Sequence, residues 1–369
     1  MGDNLFFIDI FKFLLNILYF PFKFLKKQKK ILFLSRQSNN IPLEYELLIA
    51  DLKKRDSSIK IKVITKKLEK NFTSLISNFF LLFKQMYHLA TSKVVITNGY
   101  SVPVSVLKHD KDLIVIQMWH ANGIIKKIGL QTLDKRSKKD KKLALKMNMH
   151  KNYDYVISSS KRTSLVFSKA FGVKLNKILN YGTPILDYIY YKNNYKEKEI
   201  KNKYNLNDKK IIVYLPTYRK DEIDYKKIVN QIDFDKYQLV IKKHPVDHSE
   251  IDAQNIIVIK EYIAEDIISI ADYVISDYSN VVFESLLSRK KTYCYIYDYE
   301  KYRKEFGFNI DLKKEFSKFS FLEFSDIMKE IENDNYDYKE AQRFLNKYIE
   351  NFDGRSIDRI NNFLLKLLK

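Results

Sequence analysis

The chain has 369 residues, of which 46% are hydrophobic and 14% aromatic, and this composition excludes a disordered protein and favours two domains over one. Its net charge of +21 should attract polyanions such as nucleotides, anionic lipids or phosphorylated polymers, although an AT-rich genome would also enrich lysine. The single cysteine, Cys294, excludes an internal disulfide framework and a cysteine-based zinc site.

The N-terminal segment, residues 1–30, combines a long apolar stretch with a basic end. Residues 5–25 are nearly all Leu, Ile and Phe, and lysines follow them. The polar interruptions are spaced so that they form one stripe along a helix. We therefore predict an amphipathic helix that lies on the anionic cytoplasmic face of a membrane, with a core helix of the first domain as the alternative. The interruptions, which argue against a signal peptide, are Asp9, Lys12, Asn16 and Lys23.

Short β-branched runs alternate with helical stretches along the rest of the chain. This pattern predicts parallel α/β architecture, with one Rossmann-like domain over residues 31–190 and a second, closed by C-terminal helices, over 191–369. The charged stretch 187–208 is predicted to be a solvated helix or linker. Two such domains in tandem suggest a cleft between them. The predicted strands are 31–35, 59–65, 93–97, 113–119, 155–159 and 178–182, followed by 211–217, 237–245, 255–259, 272–277 and 291–297.

Polar or conformationally special residues follow many of these strands. In open α/β sheets ligands bind at the carboxyl ends of strands, so these positions are candidates for a site. The chain has no phosphate-binding P-loop, no GxGxxG and no HExxH sequence. Asp233 and Asp235 precede a strand, and we interpret them as a solvated turn rather than a metal site. The strand ends of interest are 119–120, 181–184, 216–219, 244–245 and 277–280.

Seven segments together resemble the CDP-glycerol glycerophosphotransferase family, the teichoic acid primases and polymerases of Gram-positive bacteria. They are WHANGIIKKIG, SSSKRTSLVFSKAFG, YGTPILD, YLPTYR, IKKHP, DYSNVVFE and YDYEKYRKEFGF, and the match runs from about Val94 to DGRSIDRI. The resemblance implies a GT-B fold with two domains facing a cleft. It also implies transfer of a polyol phosphate, glycerol phosphate foremost, from a CDP-polyol to a hydroxyl of a lipid-linked saccharide or polyol-phosphate acceptor. CMP would be released during synthesis of teichoic acid or a capsular polymer.

The resemblance further implies catalytic roles for His120 and His244. Phosphoryl transfer needs a proton acceptor near the attacking hydroxyl and donors around the phosphate oxygens. His120 is the candidate base, because an imidazole titrates near neutral pH, and His244 is expected to contact the donor pyrophosphate. The predicted substrate-binding residues are Asn122, Lys126, Thr183, Pro216, Thr217, Arg219, Asp277, Ser279, Asn280, Glu284 and Arg303.

Individual roles follow from the chemistry of these side chains. Ser279 and Asn280 precede a predicted helix, where backbone N–H groups can hold phosphate. The guanidinium of Arg219 could pair with a phosphate oxygen, and Glu284 could accept ribose or polyol hydroxyls. Ala121, Asn122 and Asn280 depart from the WHGTPLKK and DYSS sequences common in the family, at positions expected to meet the acceptor or the donor.

Three alternatives stay open at this stage. The donor could be CDP-ribitol, or the enzyme could be a GT-B glycosyltransferase that uses a nucleotide sugar. A basic protein that binds a membrane or nucleic acid would explain the charge, but it leaves both strand-end histidines without a role, and the chain has no nucleic-acid-binding module. We expect no nucleic-acid partner and no tight metal site. Mg²⁺ carried with substrate phosphates is the one cofactor considered.

Overall fold

A computed structural model describes residues 3–66, 72–192, 195–219, 223–244, 246–247, 250–251 and 254–369. The chain divides into two compact units. The first unit comprises Met1–Ala121, Ile128–Asp187 and Asn351–Lys369, and the second comprises Asn122–Lys127 and Tyr188–Glu350. The sequence prediction had placed residues 122–127 in 31–190 and residues 351–369 in 191–369. The structure assigns each of these segments to the other unit, because each packs on residues that are distant in sequence.

The first unit is built on a six-stranded parallel sheet in the order β2-β1-β3-β4-β5-β6. Ile31, Phe33 and Val94 are fully buried, as expected for strands covered by helices on both faces. Each of the six runs predicted in this half contains a strand, so that prediction is confirmed. The strands are β1 (Gln28–Ser35), β2 (Lys60–Thr65), β3 (Ser92–Thr97), β4 (Ile114–Gln117), β5 (Tyr155–Ser158) and β6 (Ile178–Asn180).

Helices connect these strands and cover the sheet. In the helix after β1, Tyr45, Leu48 and Leu52 are spaced by three and four residues and therefore share one buried face. Complete burial of such a side chain stabilises the fold by about 1.5–3 kcal/mol. The helices are α1 (Asp3–Tyr19), α2 (Leu43–Arg55), α3 (Phe72–Thr91), α4 (Val102–Val106), α5 (Lys138–Lys146), α6 (Lys161–Phe171) and α7 (Pro184–Lys192), with short 3₁₀ helices at Phe20–Phe24, Gly129–Lys135 and Leu175–Lys177.

The predicted N-terminal helix exists as α1, and its polar stripe faces the protein. Lys12 Nζ donates to the Lys146 carbonyl at 2.7 Å, and Asn16 Oδ1 accepts from the Lys108 N–H at 2.7 Å. The ammonium of Lys23 pairs with Asp110 at 3.0 Å. Among the described residues, no helix is both long and apolar enough to cross a membrane. The stripe thus anchors α1 to the first unit.

The second unit contains another six-stranded parallel sheet, in the order β12-β11-β10-β7-β8-β9. The five runs predicted here each contain a strand, and only the two-residue β12 was not predicted. Asp233 Oδ1 accepts from the Asp235 N–H at 3.0 Å, which confirms the turn. The strands are β7 (Lys210–Tyr214), β8 (Tyr237–Ile241), β9 (Ile256–Val258), β10 (Tyr273–Ser276), β11 (Lys291–Tyr295) and β12 (Ser320–Phe321).

The second unit's helices are short in its first half and longer towards its end. They are α8 (Glu197–Lys203), α9 (Tyr225–Val229), α10 (Ala264–Ile270), α11 (Val281–Leu287), α12 (Tyr299–Glu305), α13 (Leu312–Glu315), α14 (Phe324–Asn333) and α15 (Tyr338–Tyr348), with a 3₁₀ helix at Ser317–Phe319.

The last helix, α16 (Ser356–Leu368), returns to the first unit. Ile360 and Leu364 join the core that contains Phe33. Asp187 was predicted to lie in a solvated segment, but it is buried, because its carboxylate accepts the Ser356 and Ile357 N–H groups at 2.9 and 2.8 Å. This cap joins the YGTPILD and DGRSIDRI segments. A second device is Gly182, with φ +79°, where an added Cβ would lie 2.3 Å from Ser356 Oγ.

Candidate functional site

The first unit's sheet presents a strained turn at the carboxyl end of β4. Trp119 has φ +53°, a left-handed conformation that bulky residues rarely adopt and that costs about 1–3 kcal/mol. Gln117 Oε1 accepts the Trp119 N–H at 2.9 Å and holds the turn. The indole then stacks on the ring of His120, with centroids 4.5 Å apart. Strain of this kind concentrates at functional sites, so the geometry supports a role for the next residue, His120.

The exposed ring of His120 is oriented by the end of the neighbouring strand. Its Nδ1 lies 2.9 Å from the Asn98 carbonyl oxygen, which follows β3, and 3.5 Å from Gln37 Nε2. A carbonyl can only accept, so Nδ1 carries the proton and donates it. The neutral ring therefore has its lone pair on Nε2. This tautomer is the one that a general base needs.

Behind Trp119 lies a buried histidine that is outside the predicted site. Burial, and secondarily the charge of Arg136, lower the pKa of His150 to about 4, so its ring is neutral at physiological pH. The ring packs 4.8 Å from Phe171, which in turn lies 5.2 Å from the indole. His150 thus belongs to the packing that supports the strained turn.

In the second unit, Arg219 is held by two carboxylates. Its guanidinium lies 3.0 Å from Asp277 Oδ2 and 2.7 Å from Asp298 Oδ2, and it covers the Tyr302 ring at 4.5 Å. Burial lowers the pKa of Arg219, but the two carboxylates outweigh this effect and raise it above its ordinary value. Asp277 also accepts the Thr217 N–H at 3.0 Å. The predicted phosphate fork is therefore occupied by protein carboxylates.

An aromatic stack joins two of the sequence motifs. The ring of Tyr278, from DYSN, lies 4.1 Å from the Tyr302 ring and 5.0 Å from the Phe308 ring, both from YRKEFGF. Stacked aromatic pairs contribute about 0.5–1.5 kcal/mol beyond the area that they bury. Together with the ion pairs of Arg219, the stack explains physically why these segments occur together.

The loop Asn122–Lys127 is packed within the second unit. Asn122 Nδ2 lies 3.4 Å from Glu284 Oε1, and both side chains are buried. A Cβ on Gly123 would lie 2.2 Å from the Phe283 ring, so only glycine fits there. The structure thus brings together two predicted substrate-binding residues, Asn122 and Glu284, that are 162 positions apart.

Lys126 lies in the same loop, near the Arg219 cluster. Its carbonyl accepts from Asn309 Nδ2 at 2.8 Å, which fixes the backbone. Burial lowers the pKa of the Lys126 ammonium, while the charges of Asp277 and Arg219 raise and lower it in turn. Lys126 is thus a second basic residue beside the cluster, held by the loop rather than by an ion pair with the carboxylates that clamp Arg219.

His244 follows β8 and is exposed. Its Nδ1 accepts the Val246 N–H at 3.4 Å, so the neutral ring carries its proton on Nε2 and can donate to a phosphate oxygen there. Its motif partner Pro245 lies outside the described residues. Tyr218, whose ring centroid is 6.2 Å away, is the aromatic neighbour.

The other predicted residues follow strands of the two sheets, except Arg303, which lies on α12. Ser279 Oγ accepts the Val281 N–H at 3.4 Å at the start of α11, whereas the Asn280 side chain makes no cap, and its Oδ1 is buried with no partner among the described residues. Thr183, in the first unit, and Pro216 are buried, and Arg303 is exposed on α12.

Four residues at strand ends were missed by the sequence analysis. Arg36 and Gln37 follow β1, Asn98 follows β3, and Asp298 follows β11. The rule that ligands bind at the carboxyl ends of parallel strands covers all four. The ends of β1 and β3 were passed over because they carry no recognised motif.

Comparisons with known proteins agree with the motif analysis. A family model for CDP-Glycerol:Poly(glycerophosphate) glycerophosphotransferase matches residues 17–366. The teichoic acid ribitol-phosphate primase of Bacillus spizizenii is 29% identical, covering 90% of this chain and 88% of its own length. The teichoic acid glycerol-phosphate primase of Bacillus subtilis is 30% identical, with 78% and 77% covered. The wall teichoic acid polymerase TagF has the same fold, with a TM-score of 0.74 at 19% identity over 100% of this chain and 98% of its own.

Proposed function

This chain belongs to the CDP-glycerol:poly(glycerophosphate) glycerophosphotransferase family, and on that premise we propose that its donor is CDP-glycerol and its acceptor a hydroxyl of a lipid-linked wall polymer precursor. The predicted family is confirmed. The protein is an enzyme that transfers a polyol phosphate from a CDP-polyol in teichoic acid synthesis. The GT-B arrangement, with two domains facing a cleft, remains part of the proposal.

The observation that carries the mechanism is the hydrogen bond between His120 Nδ1 and the Asn98 carbonyl. Since it leaves the lone pair on Nε2, His120 takes the proton of the acceptor hydroxyl. The acceptor oxygen then bonds to the phosphorus that carries glycerol, the bond from this phosphorus to the CMP oxygen breaks, and CMP leaves with the electron pair. His244 donates its Nε2 proton in a hydrogen bond to the donor phosphates, where negative charge grows.

The choice of donor is supported by the relatives. TagF crystals soaked with CDPG share this fold, and the Bacillus subtilis relative is a glycerol-phosphate primase. CDP-ribitol is the second candidate, because the Bacillus spizizenii relative of similar identity is a ribitol-phosphate primase. The two relatives also favour the priming of an acceptor over its elongation.

The reaction class is tested by CMP release from the purified full chain. CDP-glycerol, CDP-ribitol and UDP-glucose are offered separately, with a lipid-linked disaccharide that carries or lacks one glycerol phosphate. We expect CMP from CDP-glycerol, at a higher rate with the unmodified acceptor. CMP from CDP-ribitol alone would change the donor, and UDP release alone would make the enzyme a glycosyltransferase. Salt-sensitive DNA binding without any turnover would favour the non-enzyme alternative.

We also propose that the enzyme is a peripheral protein of the anionic cytoplasmic membrane surface. The polar stripe of α1 is engaged with the protein, and the opposite face is apolar and exposed: Phe7 and Leu14 have 63% and 51% of their surface open. Phe80 on α3 is 68% exposed. Apolar side chains of this kind, followed by the exposed Lys26 and Lys29, suit a monotopic attachment to anionic lipid.

The attachment is tested by sedimentation with phosphatidylglycerol vesicles. Deleting residues 1–30 is unsuitable, because β1 begins at Gln28. Phe7→Ser with Leu14→Ser removes exposed apolar surface on the face opposite the stripe, and we expect most of the protein to stay in the supernatant. The matched control is Leu165→Ser with Leu175→Ser, which are also exposed in the first unit. Equal sedimentation of both variants would refute attachment through the apolar face of α1.

A further inference from the structure

Arg36 is an arginine at the first unit's sheet edge that forms no ion pair in the part of the chain that the structure describes. It directly follows β1, in which Leu34 pairs with Thr97 of β3. Its Nη1 donates to the Tyr100 carbonyl at 3.2 Å, while its Nε is buried and has no partner among the described residues. Burial lowers the pKa of the Arg36 guanidinium. A partly buried guanidinium with a buried, unpartnered Nε and no counter-ion in the described chain is unfavourable, and an anion bound there would relieve this cost.

Asn98 places an acceptor at the adjacent strand end. The residue follows β3, its side chain is 1% exposed, and its Oδ1 has no partner among the described residues. Its backbone carbonyl accepts the Nδ1 proton of His120. The same residue thus orients the candidate base and carries an unused carboxamide oxygen.

Gln37, the residue after Arg36, lies close to His120. Its Nε2 lies 3.5 Å from His120 Nδ1 and would lie 3.3 Å from a Cβ on Gly99. Arg36 and Asn98 therefore lie on adjacent strand ends that both reach the same histidine. A site with one guanidinium donor and one amide acceptor matches a molecule that carries both a phosphate and a hydroxyl.

We propose that Arg36 and Asn98 form the acceptor subsite, in which Arg36 binds a phosphate of the acceptor and Asn98 Oδ1 accepts one of its hydroxyls. The inference rests on the proposed function, because it takes His120 as the base for the acceptor hydroxyl. The acceptor is favoured over the donor as the source of the phosphate, since both residues belong to the unit and the sheet edge that hold His120. Arg219, by contrast, already has two carboxylate partners.

The test is steady-state kinetics of Arg36→Gln on two acceptors. One is a disaccharide joined to a short lipid through pyrophosphate, and the other is the same disaccharide on a neutral alkyl chain. Loss of a charged hydrogen bond should raise the KM for the pyrophosphate acceptor about tenfold to a hundredfold. The KM for the CDP-polyol and the KM for the neutral acceptor should stay unchanged. The matched control is Arg289→Gln, an exposed arginine just before β11 in the second unit.

Other outcomes overturn the proposal. An equal rise in KM on both acceptors would show that Arg36 acts on structure rather than on phosphate. A rise in the KM for the CDP-polyol alone would assign Arg36 to the donor. Absence of CMP release by the unmodified enzyme with every CDP-polyol would instead refute the proposed function, and it is observed before any variant is made.

Two further variants keep the test decisive if Arg36→Gln does not fold. Arg36→Lys retains the charge but loses the guanidinium fork, so discrimination between the two acceptors should fall at least threefold, and unchanged discrimination would count against the subsite. Asn98→Ala keeps the carbonyl that orients His120. It should raise the KM for both acceptors without changing the pH profile of kcat, whereas a shifted profile would mean that it acts through the base.

Discussion

The two sheets have the same strand number and direction, yet their carboxyl edges are organised in opposite ways. In the first unit, the edge holds a strained tryptophan, an oriented histidine and two buried polar atoms without partners in the described chain. In the second unit, the arginine at this edge pairs with two carboxylates and lies over a stack of aromatic rings. Polar residues at strand ends can therefore keep buried atoms without partners in the described chain of one domain and be built into an ion-pair cluster in the other.

The difference shows what a polar strand end needs before a chemical role is assigned to it. Arg219 has the right residue type and position for phosphate, but its donors are already used. Arg36 lies outside the recognised sequence motifs, yet its guanidinium has no carboxylate partner among the described residues. The number of partners a charged group already has is more informative than its type.

The largest effect is expected on catalysis, from a substitution at the carboxyl edge of the first unit's sheet. His120→Ala should lower kcat for CMP release by about 10²–10⁴-fold, the usual contribution of a general base, while circular dichroism stays unchanged. His88→Gln is the control, because His88 contacts Lys30 at the opposite end of β1. Activity within tenfold of the unmodified enzyme would exclude His120 as the base. The carboxyl edge of the first unit's sheet would then have no catalytic role to set against the Arg219 cluster.

A substitution at the carboxyl edge of the second unit's sheet should lower the stability of the protein. Asp277→Ala leaves Arg219 with one carboxylate in a buried position, and we expect the free energy of unfolding to fall by about 3–5 kcal/mol in urea titrations. Glu323→Ala removes an exposed carboxylate that pairs with Lys227, and it should cost at most about 1 kcal/mol. Similar losses for the two variants would mean that the Arg219 cluster is not the scaffold of this edge.

Acidification should weaken the first unit through His150. Its folded pKa of about 4 is below the ordinary value, so the unfolded chain binds the proton more readily and stability falls as pH drops from about 6.5 towards 4. At pH 5 the loss is about 2 kcal/mol. His150→Asn, which tolerates the positive φ, removes the titration. The stability difference between the two proteins, from thermal melts at pH 8 and 5, should shrink by that amount. A constant difference would contradict the shift.

The smallest effect is expected where α16 closes the first unit. Gly182→Ala should lower the free energy of unfolding by about 1–2 kcal/mol, because its left-handed backbone disfavours a Cβ and Ser356 lies against it. Gly99→Ala, at a glycine without positive φ, serves as the control. If urea titrations give the same free energy of unfolding for both variants, the close approach of Gly182 to Ser356 is not needed for the packing of α16.

Local patterns were sufficient to predict most of the fold. Runs such as ILFLS and YVISS are buried on both sides, and burial of this kind leaves a short apolar signature in the sequence. Eleven of the twelve strands found in the described residues were predicted, and the missing β12 has only two residues, too few to produce a pattern. The polar stripe of α1 was also visible, but a stripe does not reveal whether protein or solvent faces it.

The site was less predictable, because its contacts join distant positions. Arg219 meets Asp298 from 79 residues away, and Asn122 meets Glu284 from 162 residues away. Periodicity and strand-end rules identify the candidates but carry no information on which side chains neutralise one another. Trp119 is a further example, because nothing in the sequence predicts that a tryptophan adopts a positive φ.

The crossing of the chain between the units has a consequence for biosynthesis. The first unit needs residues 351–369, whose Ile360, Leu364 and Leu368 complete its core, and the second needs residues 122–127. During translation the first unit therefore emerges early but cannot close until α16 has left the ribosome, which exposes the face of its sheet meanwhile. For the same reason, a single cut near residue 188 would yield two incomplete fragments. Each would regain its core only by exchanging a segment with the other.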